Sequence, residues 1–150
     1  MLSYKLESLK YEALLISGMR RHVTFVELPL PKGRDVNYEL QWLGTSLGLF
    51  GERDKDRSCF RVFITLVKDG RRRPLTSDQI AEQLELSRGT VVHHINNLME
   101  AGIVTHERGG YALRMERLQA LVDELQRDVD KVLHNLRKIS KDIDDWMGLE

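Results

Sequence analysis

Apolar residues recur at spacings of three and four through the middle of the chain, and the breaks between those runs mark out short helices. The first run predicts a helix over about residues 37–50, capped by Asn37, with Leu40, Leu43, Leu47 and Phe50 on one face. The second covers about 56–67, with Phe60, Phe63, Ile64 and Val67 as its apolar face and Gly70 just beyond its end. Thr76, with Gln79 three residues on, is a capping box for a third helix whose Ile80, Ala81 and Leu84 face inward. Ser87 caps a fourth that runs to about Ala101, with Val91, Ile95, Leu98 and Met99 as the buried stripe and Gly102 as its stop. Residues 103–107 and 111–114 then read as short strands joined through Arg108-Gly109-Gly110. Two short amphipathic helices about a tight turn, followed by a glycine-tipped hairpin, make a helix-turn-helix with a wing.

From Met115 the rhythm changes. Met115, Leu118, Val122, Leu125, Val129, Val132, Leu136, Ile139, Ile143 and Trp146 alternate spacings of three and four without a break, a heptad register. A continuous helix here is ~50 Å long at ~1.5 Å per residue. Alone it would leave an apolar seam in water, so the register predicts a homodimer through a coiled coil. Leu121 and Leu133 flank the seam and widen it. Few complementary charges stand at the flanking positions, so parallel and antiparallel pairing both stay open.

Residues 1–33 carry a different pattern. Residues 14–17 and 22–28 are apolar and β-branched about Gly18, which suggests a β-hairpin; a helix over 4–19 is the alternative. Pro29 and Pro31 end whichever element precedes them. The expected organisation is an N-terminal segment over 1–36, a winged helix-turn-helix domain over 37–114 and a dimerisation coiled coil over 115–147. In fold class the chain reads as mainly α with a small β wing.

The 150 residues are 41% hydrophobic and 31% charged, which fits a globular domain with exposed helices. No apolar run approaches the ~20 residues of a membrane span, and no basic-then-apolar leader opens the chain. Cys59 is the only cysteine, so no internal disulfide forms, which suits a reducing cytoplasm; a small buried residue is its plain role. The formal net charge is zero, but it is unevenly spread: residues 57–114 carry +3 and residues 115–150 carry −3. Positive charge gathers on the motif while an acidic tail hides it in the total.

If 91, 95, 98 and 99 face inward, the fourth helix presents Arg88, Gly89, Thr90, His93, His94, Asn96 and Asn97 outward. These residue types suit a DNA major groove: Arg forks onto guanine, Asn onto adenine, and Thr reaches a thymine methyl or a phosphate. Gly89 allows close approach of the helix start, whose amides favour phosphate. Arg71, Arg72, Arg73 and Arg108 would supply backbone affinity. The bland alternatives are an exposed polar face and a solvated arginine loop.

The stretch LTSDQIAEQLELSRGTVVHHINNLMEAGIV resembles the winged helix-turn-helix of ArsR-like and MarR-like prokaryotic regulators, notably archaeal ones. The resemblance rests on Ala81 in the first helix, the Leu86-Ser87 turn, Thr90-Val91, and the exit from Leu98 through Gly102-Ile103-Val104, and it spans about residues 57–114. It implies that Ser87, Arg88, Gly89, Thr90, His93 and His94 face DNA and that the wing tip at 108–110 touches the flanking backbone. Glu85 stands where the family often places glycine; in a left-handed conformation it costs roughly 1 kcal/mol. The Cys-x-Cys pair of the family's metal sensors is absent from the first helix of the motif. Asp130 and His134, four apart, resemble half of another family metal site, and a solvated pair is their plain reading.

These readings converge on a cytoplasmic, dimeric, sequence-specific DNA-binding transcription regulator that needs no cofactor or metal. Its recognition helices would enter successive major grooves of a partly palindromic double-stranded site, ~34 Å apart on one face of the duplex. The alternative is a winged-helix protein–protein module recruiting a partner through the coiled coil. Catalysis is not expected: the chain has no phosphate-binding glycine loop, nucleophile elbow or His-Glu-x-x-His.

Overall fold

The computed structural model describes residues 9, 25–33, 35–50 and 56–150. In chain order its elements are α1 (Val36–Ser46), α2 (Ser58–Lys68), α3 (Ser77–Leu84), α4 (Arg88–Glu100), β1 (Val104–Glu107), β2 (Gly110–Leu113) and α5 (Leu118–Met147). The fold is mainly helical with one two-stranded antiparallel hairpin, as the sequence pattern implies. The expected N-terminal hairpin, and the helix alternative to it, lie almost wholly outside the described residues. Residues 25–30 have no regular structure and run along α1: the Val26 N–H donates to the Ser46 carbonyl and the Trp42 indole N–H to the Pro29 carbonyl, both at 2.8 Å.

Two helix starts differ from expectation. Asp35, not Asn37, caps α1: its backbone is extended and its carboxylate accepts from the Asn37 N–H at 3.0 Å. That helix stops at Ser46 rather than near Phe50, because Gly48 turns left-handed at φ 70° and redirects the chain. Phe50 then packs edge-on against Phe60 of α2, ring centres 5.1 Å apart. α2 begins at Ser58 after a left-handed Arg57. Its buried face is wider than the sequence suggested: Val62 and Leu66 are fully buried, whereas Phe60 and Ile64 are only partly so. The reason is position, since α2 is central and touches α1, α3, α4 and β2.

The capping box on α3 is present. The Thr76 hydroxyl accepts from the Gln79 N–H at 3.1 Å, and the Gln79 side chain accepts from the Thr76 N–H at 2.9 Å. Glu85 ends α3 in the left-handed conformation at φ 57°, and the Leu86 N–H returns to the Ala81 carbonyl at 3.0 Å. α4 buries Val91, Ile95 and Leu98 completely. Met99, expected inside, is instead exposed, because the three fully buried residues already complete the packed stripe and Met99 lies at its edge.

In the wing, Val104 pairs with Leu113 and Glu107 with Gly110, leaving Arg108-Gly109 as the loop. β2 therefore begins one residue earlier than expected and ends at Leu113. A third piece of extended chain was not foreseen: Leu75 exchanges two backbone hydrogen bonds with Tyr111, at 2.9 and 2.7 Å. Gly110 makes that approach possible, since a Cβ there would lie 2.3 Å from the Leu75 carbonyl oxygen.

α5 begins at Leu118, after bends that hold Met115 and Leu118 partly buried against the core. Its first turns belong to the winged domain. Leu121 and Leu125 are buried in the same core cluster as the helix-turn-helix residues. Leu125, expected in the dimer seam, is thus packed within its own chain. Beside these leucines, Arg114 forks onto Asp128 at 2.6 and 3.2 Å and reaches Glu124 at 3.2 Å. The hydrogen bond to Asp128 raises the Arg114 pKa above its ordinary value, against the opposing pull of burial. Beyond residue 130 every α5 residue is exposed.

Two stability measurements follow from this geometry. Glu85→Gly relieves a left-handed side-chain conformation and raises stability by about 1 kcal/mol in urea denaturation; a loss would show that the Glu85 side chain is needed where it stands. Arg114→Met leaves two half-buried carboxylates without their cation and lowers stability by about 1–3 kcal/mol, between the values for exposed and buried pairs. An effect no larger than that of Arg127→Met, on the exposed face, would reduce the Arg114 fork to a solvated pair.

Candidate nucleic-acid interface

One side of α4 is fixed to the core by Val91, Ile95 and Leu98, so the opposite side is committed to solvent. Arg88, Gly89, His93, Asn96 and Asn97 are exposed there and Thr90 is half-buried. Ser87 acts as the N-cap: its hydroxyl accepts from the Thr90 N–H at 3.1 Å and lies 2.8 Å from the Thr90 hydroxyl. The amides of Arg88 and Gly89, at the first positions of the helix, have no intrahelical acceptor and carry the positive end of its dipole. Among the described residues nothing requires glycine at position 89, because an added Cβ would meet no atom within 4 Å. The space beside it is open to solvent.

Two contacts bring three elements to one edge of the domain. Arg88 Nε lies 3.5 Å from the Asp78 carboxylate, setting the first turn of α4 beside the first turn of α3. Gly110 lies against Leu75 and Thr76, setting the wing tip beside the same α3 start. Arg88 and Asp78 are 71% and 73% exposed, so their attraction is weak in water and the guanidinium is easily redirected. Arg108 is exposed at the wing tip. His106 was missed by sequence reading; it projects from β1, exposed, with its ring 4.8 Å from that of Tyr111 across the hairpin. Strand alternation about the hairpin turn was the signal that could have found it.

Two expected contacts sit elsewhere. His94 does not share the outward face with His93: its Nε2 is 2.7 Å from the Ser58 hydroxyl at the start of α2. Neighbouring helix residues point ~100° apart, and His94 takes the direction that leads back to α2. His93 remains outside, with Nε2 3.4 Å from the Asn97 amide nitrogen. Arg71, Arg72 and Arg73 are exposed in the turn between α2 and α3. The antiparallel Leu75–Tyr111 bridge directs the chain before Leu75 toward Leu113, away from the wing tip. Arg72 and Arg73 border a cleft of about 690 Å³ with Lys68, Asp69, Leu75 and Gln83.

Among the described residues no cluster of His, Cys, Asp and Glu is placed to hold a metal ion, and no helix is long and apolar enough to cross a membrane. Asp130 and His134 are both exposed on α5.

The order of elements defines a winged helix-turn-helix, with α3 and α4 as its two helices. Residues 67–106 match the family described as bacterial regulatory protein, arsR family, a span running from the end of α2 into β1. This match supports a DNA-binding regulator; the archaeal affinity expected from the sequence is not part of it. Among solved structures, one described as "Structure of Disulfide formed AbfR" is similar at 14% identity over 99% of each chain, with a TM-score of 0.35, too low to carry an argument. No curated protein matches the chain.

The geometry separates the two histidines. His94→Ala removes the link to Ser58 and lowers stability by about 1 kcal/mol, while leaving the base preference of bound DNA unchanged. Unchanged stability together with an altered base preference, measured by denaturation and by competition binding, would return His94 to the reading face.

Proposed function

We propose that this protein is a transcription regulator that binds double-stranded DNA in the cytoplasm as a homodimer, with α4 in the major groove and the wing on the flanking backbone. The observation that carries the reading is the two-sided character of α4. Three fully buried residues anchor it, and its free face holds Arg88, Thr90, His93 and Asn97 around a glycine that the fold does not need. Arg88 leaves Asp78 for a guanine edge, and Asn97 is placed for an adenine. The α4 amides at Arg88 and Gly89 take a phosphate, and Arg108 takes another from the wing. These contacts concentrate cations where the DNA lies, although the whole chain is neutral.

Dimerisation doubles the contacts and sets the spacing of two half-sites. The α5 seam beyond Val129 supplies the surface: Val132, Leu136, Ile139, Ile143 and Trp146 are all exposed in the single chain. Burial of such a stripe drives association. No catalytic step belongs to this reading. The protein acts by occupancy of its site.

Titration of a labelled duplex carrying the upstream region of its own gene tests the proposal. Log affinity should fall linearly with log salt, as counterion release requires. Arg88→Ala should relax base preference by ~1–3 kcal/mol at one position of each half-site. Arg108→Ala should instead weaken all sequences about equally and make the salt slope shallower by about one unit per lost phosphate contact. Absence of binding at low salt would favour a protein–protein module, and identical preferences in wild type and Arg88→Ala would remove Arg88 from the reading face.

A further inference from the structure

The turn between α2 and α3 gathers positive charge in a concave place. Lys68, Asp69, Arg72, Arg73, Leu75 and Gln83 line a cleft of about 690 Å³, a size that suits a small organic molecule. Three of these side chains are cations, and among the described residues none of the three pairs with a carboxylate. The acid in the lining is already engaged: Gln83 Nε2 donates to Asp69 Oδ2 at 2.8 Å. Leu75, buried, adds an apolar wall.

The backbone that carries these cations is pinned at both ends. On the α2 side the Asp69 and Gly70 N–H groups donate to the Thr65 and Leu66 carbonyls at 2.8 and 3.1 Å, so two of the helix's last acceptors are satisfied within the chain. A Cβ at Gly70 would lie 2.6 Å from the Leu66 carbonyl oxygen, so glycine lets the chain turn tightly against the helix. On the α3 side Pro74 restricts the backbone, and Leu75 is bridged to Tyr111. The bond from Gln83 to Asp69 spans the gap between the end of α2 and α3. Arg72 and Arg73 therefore start from a fixed main chain and lose less freedom on gripping a ligand than a loose loop would.

We propose that this cleft binds a phosphorylated small molecule. The planar fork of arginine matches phosphate oxygens, and lysine adds a point charge. Two arginines and a lysine offer more donors and more charge than a single carboxylate can use, whereas a phosphate dianion uses them all. The cleft is larger than a phosphate group alone, and Asp69 Oδ1 and Gln83 Oε1 are acceptors for a hydroxyl or amino group on the rest of the molecule. The source of the phosphate is a free molecule rather than DNA. The Leu75–Tyr111 bridge directs the chain before Leu75 away from the wing tip, and so away from the edge where α4 and the wing meet. The inference stands apart from the DNA-binding reading and does not depend on it.

Inorganic pyrophosphate titrated into the full chain at ~0.1 M ionic strength, followed by calorimetry and by amide chemical shifts, tests this. The expected result is saturable binding, with shifts centred on residues 68–75 and Gln83. Arg72→Gln and Arg73→Gln, made separately, each weaken it by roughly tenfold or more, as loss of a charge-assisted hydrogen bond requires. Both side chains are exposed, so the variants keep the fold, which circular dichroism checks. Arg71→Gln removes the same charge from the same turn but outside the cleft, and weakens binding by less than about twofold. Equal losses in all three variants would reduce the effect to diffuse attraction by the turn and overturn the site, as would a titration that never saturates. Displacement of pyrophosphate by a duplex, with duplex binding weakened in Arg72→Gln and Arg73→Gln, would assign these cations to the DNA backbone and overturn the free ligand.

Discussion

The joint between wing and long helix is the interaction on which the rest depends. Arg114 follows directly on β2, its N–H donates to the Ile103 carbonyl, and its guanidinium forks onto Asp128 of α5. Leu121 and Leu125 close the same joint from the apolar side. An ion pair alone would contribute little at a surface, but a bidentate pair at 26% and 27% side-chain exposure, beside buried leucines, fixes direction as well as adding stability. The wing and the start of α5 are therefore joined by both polar and apolar contacts. In the proposed homodimer, the pairing of the long helices would also set the separation of the two α4 helices.

On the DNA side the logic is one of division. α4 gives one face to the core and leaves on the other its N-terminal amides, a glycine with open space above it, and an arginine that, among the described residues, pairs with an exposed carboxylate. His94 falls on the boundary and goes to the core side, where Ser58 receives it. The Leu75–Tyr111 bridge then ties the start of α3 to the wing, so α3, α4 and the wing meet at one edge of the domain. Asp78 holds Arg88 only weakly, because both side chains are largely exposed, so in the proposed complex the guanidinium is free to turn to DNA.

Much of this was legible in the sequence because the relevant signals are local. The Thr76 and Ser87 caps, the left-handed Glu85 and the hairpin at Arg108-Gly109 each depend on a few neighbouring residues, and each was readable. What could not be read depends on tertiary partners. The bridge at Leu75 needs Tyr111, 36 positions away, and the direction of His94 needs Ser58, another 36. The heptad register ran through Leu118 and Leu125 without a break, yet the winged domain claims those layers for itself. Periodicity shows that a stripe must be buried, but not by which surface. The same limit applies to Arg71, Arg72 and Arg73, whose composition suggested DNA and whose place in the fold is on the far side of Leu75 from the wing tip.

Selection of bound duplexes from a random pool tests the central claim most directly, because DNA binding, base readout and two-fold assembly are examined at once. Enrichment of one short motif in two inverted copies at a constant spacing is the outcome predicted by a homodimer reading DNA through α4. A pool that emerges at low salt with no sequence enriched over the input would contradict it.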